Sequence, residues 1–249
     1  MQGLVAAAQL GKTVNITDEL QNHLLDLYWR WQNPWNYVIH KGAFLKSFRG
    51  EDDGSHCSPL LLCSIFAIAA RYSDRTELRS VPDDPSTAGD AFCEHAKILM
   101  LYEAGAPTIT TVQAACLLGL RIMSDGKEAL GWLYSGNATR MAHNLGLHLD
   151  SSKWTTTASV SEEEVEARKV TWWGCYVVDN YAANSKLSSR ELEDVVSKTD
   201  VELRTHFREL PSHLRLPASP KVPMLPHVCL FQYVPPDHRI GKPILDEAN

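Results

Sequence analysis

The sequence predicts an all-α fold, a stack of antiparallel helices forming one domain, followed by an irregular Pro-rich C-terminal tail. Three observations carry this. Apolar residues recur at spacings of three and four over most of the first 210 positions, helix-start and helix-stop residues bracket those runs, and alternating apolar–polar runs bounded by turn dipeptides are scarce. With 249 residues, 44% of them hydrophobic, the chain has ample material for a buried core. No fixed-period repeat accompanies the helices, so a solenoid is not indicated.

Residues 1–16 read as a flexible N-terminus. They lack the charged start and the continuous apolar run of a signal peptide, so secretion is not expected. Thr17 caps a helix carrying Leu20, Leu24, Leu27 or Tyr28, and Trp31, and Asn33-Pro34 is expected to end it, because a residue before proline is pushed out of the helical region. The polar segment Glu51 to Ser55 is a loop. Ser58-Pro59 then gives a cap followed by proline at the first helical position of a buried helix reaching about Tyr72.

The charged stretch 73–87 holds Pro82 and Pro85 and reads as a long connection. The next helix runs from about Thr87 to Ala104, facing inward through Ala91, His95, Ile98 and Leu99 and closed by Gly105. Pro107-Thr108 opens a helix through Val112, Cys116, Leu120 and Met123 that stops at Asp125-Gly126. Another follows from Lys127 to about Asn144, with Leu145-Gly146 as its end.

Ser161 with Glu164 fits a capping box and starts a long helix carrying Val165, Val170, Trp173, Val177 and Tyr181. Ser188 with Glu191 is a second such signal, ahead of Leu192, Val195, Leu203, Phe207 and Leu210, and Pro211 ends that helix. Seven of the thirteen prolines lie between Pro217 and Pro243, so the tail from 217 to 249 cannot be regular helix.

Composition excludes several function classes. Net charge is −6 with Lys and Arg scattered, so no basic stripe exists to neutralise phosphates, and direct DNA binding is not expected. The longest apolar run, Leu60 to Ala70, is too short to span a bilayer. The cysteines at 57, 63, 93, 116, 175 and 229 sit mostly inside apolar helical patterns, as free thiols do in a reducing compartment, and no disulfide is expected.

Several residue patterns could carry chemistry. His56, Cys57 and Cys63, or Cys93 with His95, offer zinc-type donors, but no Cys-x2-Cys or His-x3-His spacing exists, and Cys93 and His95 point to different sides of their helix. Tyr134-Ser135-Gly136 lacks the strand of a nucleophile elbow, and Cys175 among Trp172, Trp173 and Tyr176 is expected to be inert by burial. Asp52-Asp53 and Asp83-Asp84 are loop carboxylates, and no phosphate-binding glycine loop is present. The chain is expected not to be an enzyme and to need no cofactor of its own. Of its tryptophans, at 29, 31, 35, 132, 154, 172 and 173, most belong in the core and one or two suit a ligand pocket or partner groove.

Three ordered motifs carry a resemblance. They are the run from Leu27 through Trp31, Gln32 and Pro34 to Trp35, the run Gly131-Trp132 through Ala138, Arg140, Gly146 and His148 to Asp150, and the run Glu164 through Arg168, Trp172, Trp173 and Tyr176 to Asp179. Together they resemble the fungal-specific transcription factor domain, also called the xylanolytic activator regulatory domain, in the flavour of nitrogen-assimilation regulators. The resemblance spans about 17–183, and weakly 186–216.

It implies an all-α regulatory domain in the nucleus, with partners in the transcriptional machinery or in activation and DNA-binding regions of the same polypeptide, and a possible small-molecule effector. From the residues themselves, Gly146 permits a left-handed helix end, while His148 and Asp150 can satisfy the backbone groups beyond it. Glu164 and Arg168 form an i,i+4 pair, and Asp179 is placed to pair with Arg140. A cytosolic helical adaptor binding a partner helix in a Trp-rich groove is an alternative, and an all-α enzyme a remoter one.

The sequence also departs from the family. The family's zinc-cluster DNA reader needs Cys-x2-Cys-x6-Cys, which this chain lacks. After Asp179 the expected Ser and Gly-Arg-Pro are replaced by Asn180 to Lys186 leading into the helix of 184–216, which resembles a much later part of the family domain. A deletion at this point, in a shortened or mis-spliced product, is the expectation.

Overall fold

A computed structural model describes residues 2–9, 16–149 and 160–184, all within one compact unit, Met1–Lys186. The segments expected at 184–216 and 217–249, apart from Asn184 itself, lie outside the described residues, as do Asp150 and Trp154. The fold is all-α: nine α-helices among the described residues, joined by short 3-10 turns, with one isolated β-bridge between Arg79 and Ala88.

Helix α1 (Gln2–Gln9) lies where a flexible start was expected, and it packs on α6 (Asp90–Glu103) with Gly3 close to Leu99. The run Leu-Val-Ala-Ala-Ala favours helix, and the contact with α6 supplies what so short a helix lacks by itself. Thr17 caps α2 (Asp18–Leu27) by accepting a hydrogen bond from the Leu20 amide.

Asn33-Pro34 does not stop the chain's helical course. Tyr28–Gln32 widens into a π turn, in which the Asn33 amide bonds the Tyr28 carbonyl five residues back, and α3 (Asn33–Asn36) follows with Pro34 in its first turn. The widened turn accommodates the proline ring in an otherwise continuous helical course, which lowers the penalty expected of it. The stop comes at Tyr37, whose φ of 34° turns the chain left-handed. Helix α4 (Lys41–Arg49) follows, unmarked by any strong start signal, capped by the His40 ring and ended at left-handed Gly50.

Ser58 and Pro59 open α5 (Pro59–Ala69) as expected. The inward face of α6 is Phe92, Cys93, His95, Ala96, Leu99 and Met100; the expected His95 and Leu99 are buried, Ile98 is half-buried and Ala91 is exposed. Left-handed Gly89, not Thr87, begins that helix, and Gly105 does not take a left-handed turn at its end.

Helix α7 (Ile109–Met123), with a reciprocal capping box of Thr108 and Thr111, is buried on every side from Thr110 to Gly119. A helix apolar all round belongs at the centre, and α5, α6, α8 (Glu128–Asn144) and α9 (Glu162–Asn184) pack around it.

Candidate functional site

The three motifs form three seams around α7. In the first, the buried Tyr28 hydroxyl donates to Asn33 Oδ1 at 3.1 Å, and Asn33 Nδ2 donates to the Ile39 carbonyl at 3.3 Å. Gln32 donates to Asn36 at 2.7 Å and accepts from the Tyr72 hydroxyl at 2.8 Å. These bonds fix the π turn and the reversal after it, with Pro34 inside the turn. Trp29 packs edge-on against Tyr28 and Phe44, whereas Trp31 is exposed and Trp35 is 80% exposed.

The second seam is the α7–α8 crossing. Gly131 sits so close to α7 that an added Cβ would lie 2.8 Å from the Gly119 carbonyl oxygen, the small-residue contact that lets two helix backbones approach. Helix α8 ends in a Schellman motif: the Leu147 amide bonds the Ala142 carbonyl, the Gly146 amide bonds that of His143, Gly146 has φ 66°, and Leu147 is buried. Trp132 and Arg140 are exposed. The His148 ring packs beside those of His143 and Trp172, and Asp150, expected to act with it beyond the helix end, lies outside the described residues.

The third seam holds α9. Ser161 caps it through the Glu164 amide. Glu163 reaches Lys46 at 2.5 Å, Glu164 reaches His56 Nε2 at 2.9 Å, and Arg168 lies 3.8 Å from Glu164 and donates to the Leu145 carbonyl at 2.8 Å. Arg168 thus joins the expected i,i+4 pair to the end of α8. The hydrogen bond to Glu164 raises the His56 pKa against the opposing effect of burial, with Asp52 and Asp53 adding to the rise.

Further along α9, the Thr171 hydroxyl and Gln113 Nε2 both reach the Val38 carbonyl, and Gln113 donates to Thr171 at 2.8 Å. Gly174 lies against the Val38 backbone. Beyond it, Cys175, Val178 and Ala182 are buried, while Trp173, Tyr176, Val177 and Tyr181 face outward. Of the apolar residues that the sequence places on this helix, Val165 and Val170 are buried and Trp173, Val177 and Tyr181 lie on its outer face. Here the buried side is made of small residues that fit close to α7 and Val38, and the large rings are left outside.

No ion pair joins Arg140 to Asp179 among the described residues. Asp179 is near enough to α7 for its charge to act on Cys116. Sequence reasoning also missed Arg121, which is fully buried and donates to the carbonyls of Ala67 and Ala88, each at 3.1 Å, and to Asp90 at 2.8 Å, and pairs with Asp125. A lone arginine in the apolar run Ile109–Met123 was the signal for it.

For metals, Cys63 Sγ meets His95 Nδ1 at 3.7 Å, burial pushes the Cys63 thiol up to about 12, and no three His, Cys, Asp or Glu side chains gather among the described residues. The described cysteines are spread over the loop before α5 and over α5, α6, α7 and α9, so they do not fit the family's zinc cluster. No helix among the described residues is long and apolar enough to cross a membrane.

The fungal specific transcription factor domain matches residues 25–185, which takes in all three seams. The chain belongs to this family. It is 37% identical over 174 residues to the nitrogen assimilation transcription factor nirA of Emericella nidulans, a match covering 69% of the chain and 19% of that protein. It is 36% identical over 170 residues to the nitrogen assimilation transcription factor nit-4 of Neurospora crassa, covering 65% and 15%. Against the activatory protein CHA4 of Saccharomyces cerevisiae it is 27% identical over 210 residues, covering 74% and 31%. The chain thus spans a fifth or less of the first two relatives. No solved structure matches it.

Proposed function

We propose that this chain acts in the nucleus as a non-catalytic regulatory module, adjusting transcription through contacts with the transcriptional machinery or with activation and DNA-binding regions. The supporting observation is that the family's three motifs coincide with the three seams that hold the helices together, not with a reacting centre. The buried ionisable groups fit the same reading. Arg121 and His56 are engaged in joining helices and loops, and the Cys63, Cys93 and Cys116 thiols are held protonated by their surroundings. Two of the relatives are named for nitrogen assimilation, so nitrogen-source genes are the targets to examine first.

The test fuses the full chain to a heterologous DNA-binding module in a fungal host carrying a matching reporter. Expected is a reporter output that differs from that of the module alone and responds to nitrogen source, with the untagged chain concentrated in nuclei. An output equal to that of the module alone, with the chain spread through the cytosol, would overturn the reading.

A further inference from the structure

We propose that Cys116 of α7 and Cys175 of α9 form a dithiol lock that peroxide closes into a disulfide, tying α9 to α7. The two sulfurs are 3.3 Å apart although the residues are 59 positions apart in sequence, and both cysteines are free and almost wholly buried. Sulfur atoms already in contact need only about 1.3 Å of approach to reach bonding distance. Val178 and Ala182 continue the same buried side of α9, so the bond would form in the middle of the α7–α9 seam.

The chemistry balances with hydrogen peroxide as oxidant. One thiolate attacks a peroxide oxygen, the O–O bond breaks, and the departing hydroxide takes the proton that thiol released, giving a sulfenic acid and water. The second sulfur then attacks the sulfenic sulfur, the S–O bond breaks, and the hydroxide leaves as a second water with the second thiol's proton. Two electrons pass from the sulfur pair to the peroxide.

Burial sets when this happens. Cys116 is kept protonated by its bond to Cys175 and by desolvation, with Asp179 nearby adding to the effect, so the closed pair is a poor nucleophile. Oxidation therefore runs through openings in which the second half of α9 lifts from α7, and each event then traps the helix in its docked position. The outer face carrying Trp173, Tyr176 and Tyr181 would be held fixed in the oxidised form and able to move in the reduced one.

The experiment uses the full chain carrying C57S, C63S, C93S and C229S, which leaves only this pair, beside the wild-type chain. Reduced protein is exposed to hydrogen peroxide, denatured, alkylated and digested without reduction. Expected are a peptide linking Cys116 to Cys175, a thiol titre in the quadruple variant falling from two to zero without dimerisation, and full reversal by dithiothreitol. Limited proteolysis within α9 should slow on the order of tenfold or more in the oxidised form. Should the quadruple variant fail to fold, the linked peptide in the wild-type chain decides. Separate sulfinic acids, disulfides to other cysteines in the wild type, intermolecular bonds, or unchanged proteolysis of α9 would each overturn the lock.

Discussion

Helices α7 and α9 are both close-packed into this domain, yet they are held in different ways. Helix α7 is buried on every side from Thr110 to Gly119 and is pinned at its end by a fully buried arginine. Helix α9 buries one side only. Its first two turns are fastened by the partly exposed pairs Lys46–Glu163, His56–Glu164 and Glu164–Arg168, and its second half by small residues against Val38 and α7. The difference shows that α7 is specified by desolvation along its length, where each unpaired group is costly, whereas the first two turns of α9 are held by contacts that water can partly replace.

That contrast is tested most severely by comparing the two arginines. Replacing Arg121 with Met would leave the Ala67 and Ala88 carbonyls without this donor, deprive Asp90 of its cation and leave Asp125 only the more distant Arg71, a loss of about 3–5 kcal/mol. In a domain stable by about 5–15 kcal/mol, R121M should be largely unfolded or shifted far down in urea midpoint. Replacing Arg168 with Met removes a charged hydrogen bond to a helix-end carbonyl and a long ion pair to a partly exposed carboxylate, for about 1.5–3 kcal/mol. Equal urea midpoints for the two variants would dissolve the distinction.

The helix-crossing glycines sharpen it. In G131A the new methyl would meet both the Gly119 carbonyl oxygen at 2.8 Å and, closer still, Met123 Cγ, between two rigid helices. In G174A it meets Val38 Cα at 2.7 Å, on an irregular segment that can shift more easily. Overpacking costs about 1–3 kcal/mol. G131A is expected near the upper end of that range and G174A near the lower, read from thermal unfolding by circular dichroism; the reverse order would place the more rigid contact at α9.

These same two helices show how much the sequence reveals. The existence of α5, α7, α8 and α9, the starts of α5, α7 and α9 and the ends of α7 and α8 could be read from local chemistry, because Ser58, Thr108, Gly126, Gly146 and Ser161 each satisfy backbone groups within a few residues of themselves. The face of α9 could not. Gly174, Cys175 and Ala182 are buried because Val38 and α7 approach closely, whereas periodicity weighs residues by apolarity and so favours Trp173 and Tyr181. Helix α4 and the π turn at Tyr28–Gln32 were hidden for a related reason, since their stabilising bonds depend on Asn33 meeting Ile39 and on His40 turning back over Ala43. Arg121 was visible as an oddity, but its four partners come from three separate stretches of chain.

The smallest effect concerns pH and belongs to α9 alone. His56 faces Glu164 from α9 and Asp52 and Asp53 from its own loop, and its raised pKa means that the folded state holds the proton more tightly than the unfolded chain, where the value is about 6.5. Its contribution is therefore complete below about pH 6.5 and is lost as pH rises through the folded-state value above that. H56Q keeps a donor towards Glu164 but cannot titrate. The unfolding midpoint of the unsubstituted chain, relative to that of H56Q, should be higher at pH 6 than at pH 8, by an amount corresponding to less than about 1 kcal/mol because the pair is reached by water. E164Q removes the principal cause of the raised pKa, so the chain carrying E164Q and its H56Q double variant should show little of that relative pH dependence. If the dependence persisted undiminished in the E164Q background, the proton would be held by the loop carboxylates, and the first turn of α9 would be docked by Lys46 and Arg168 without help from His56.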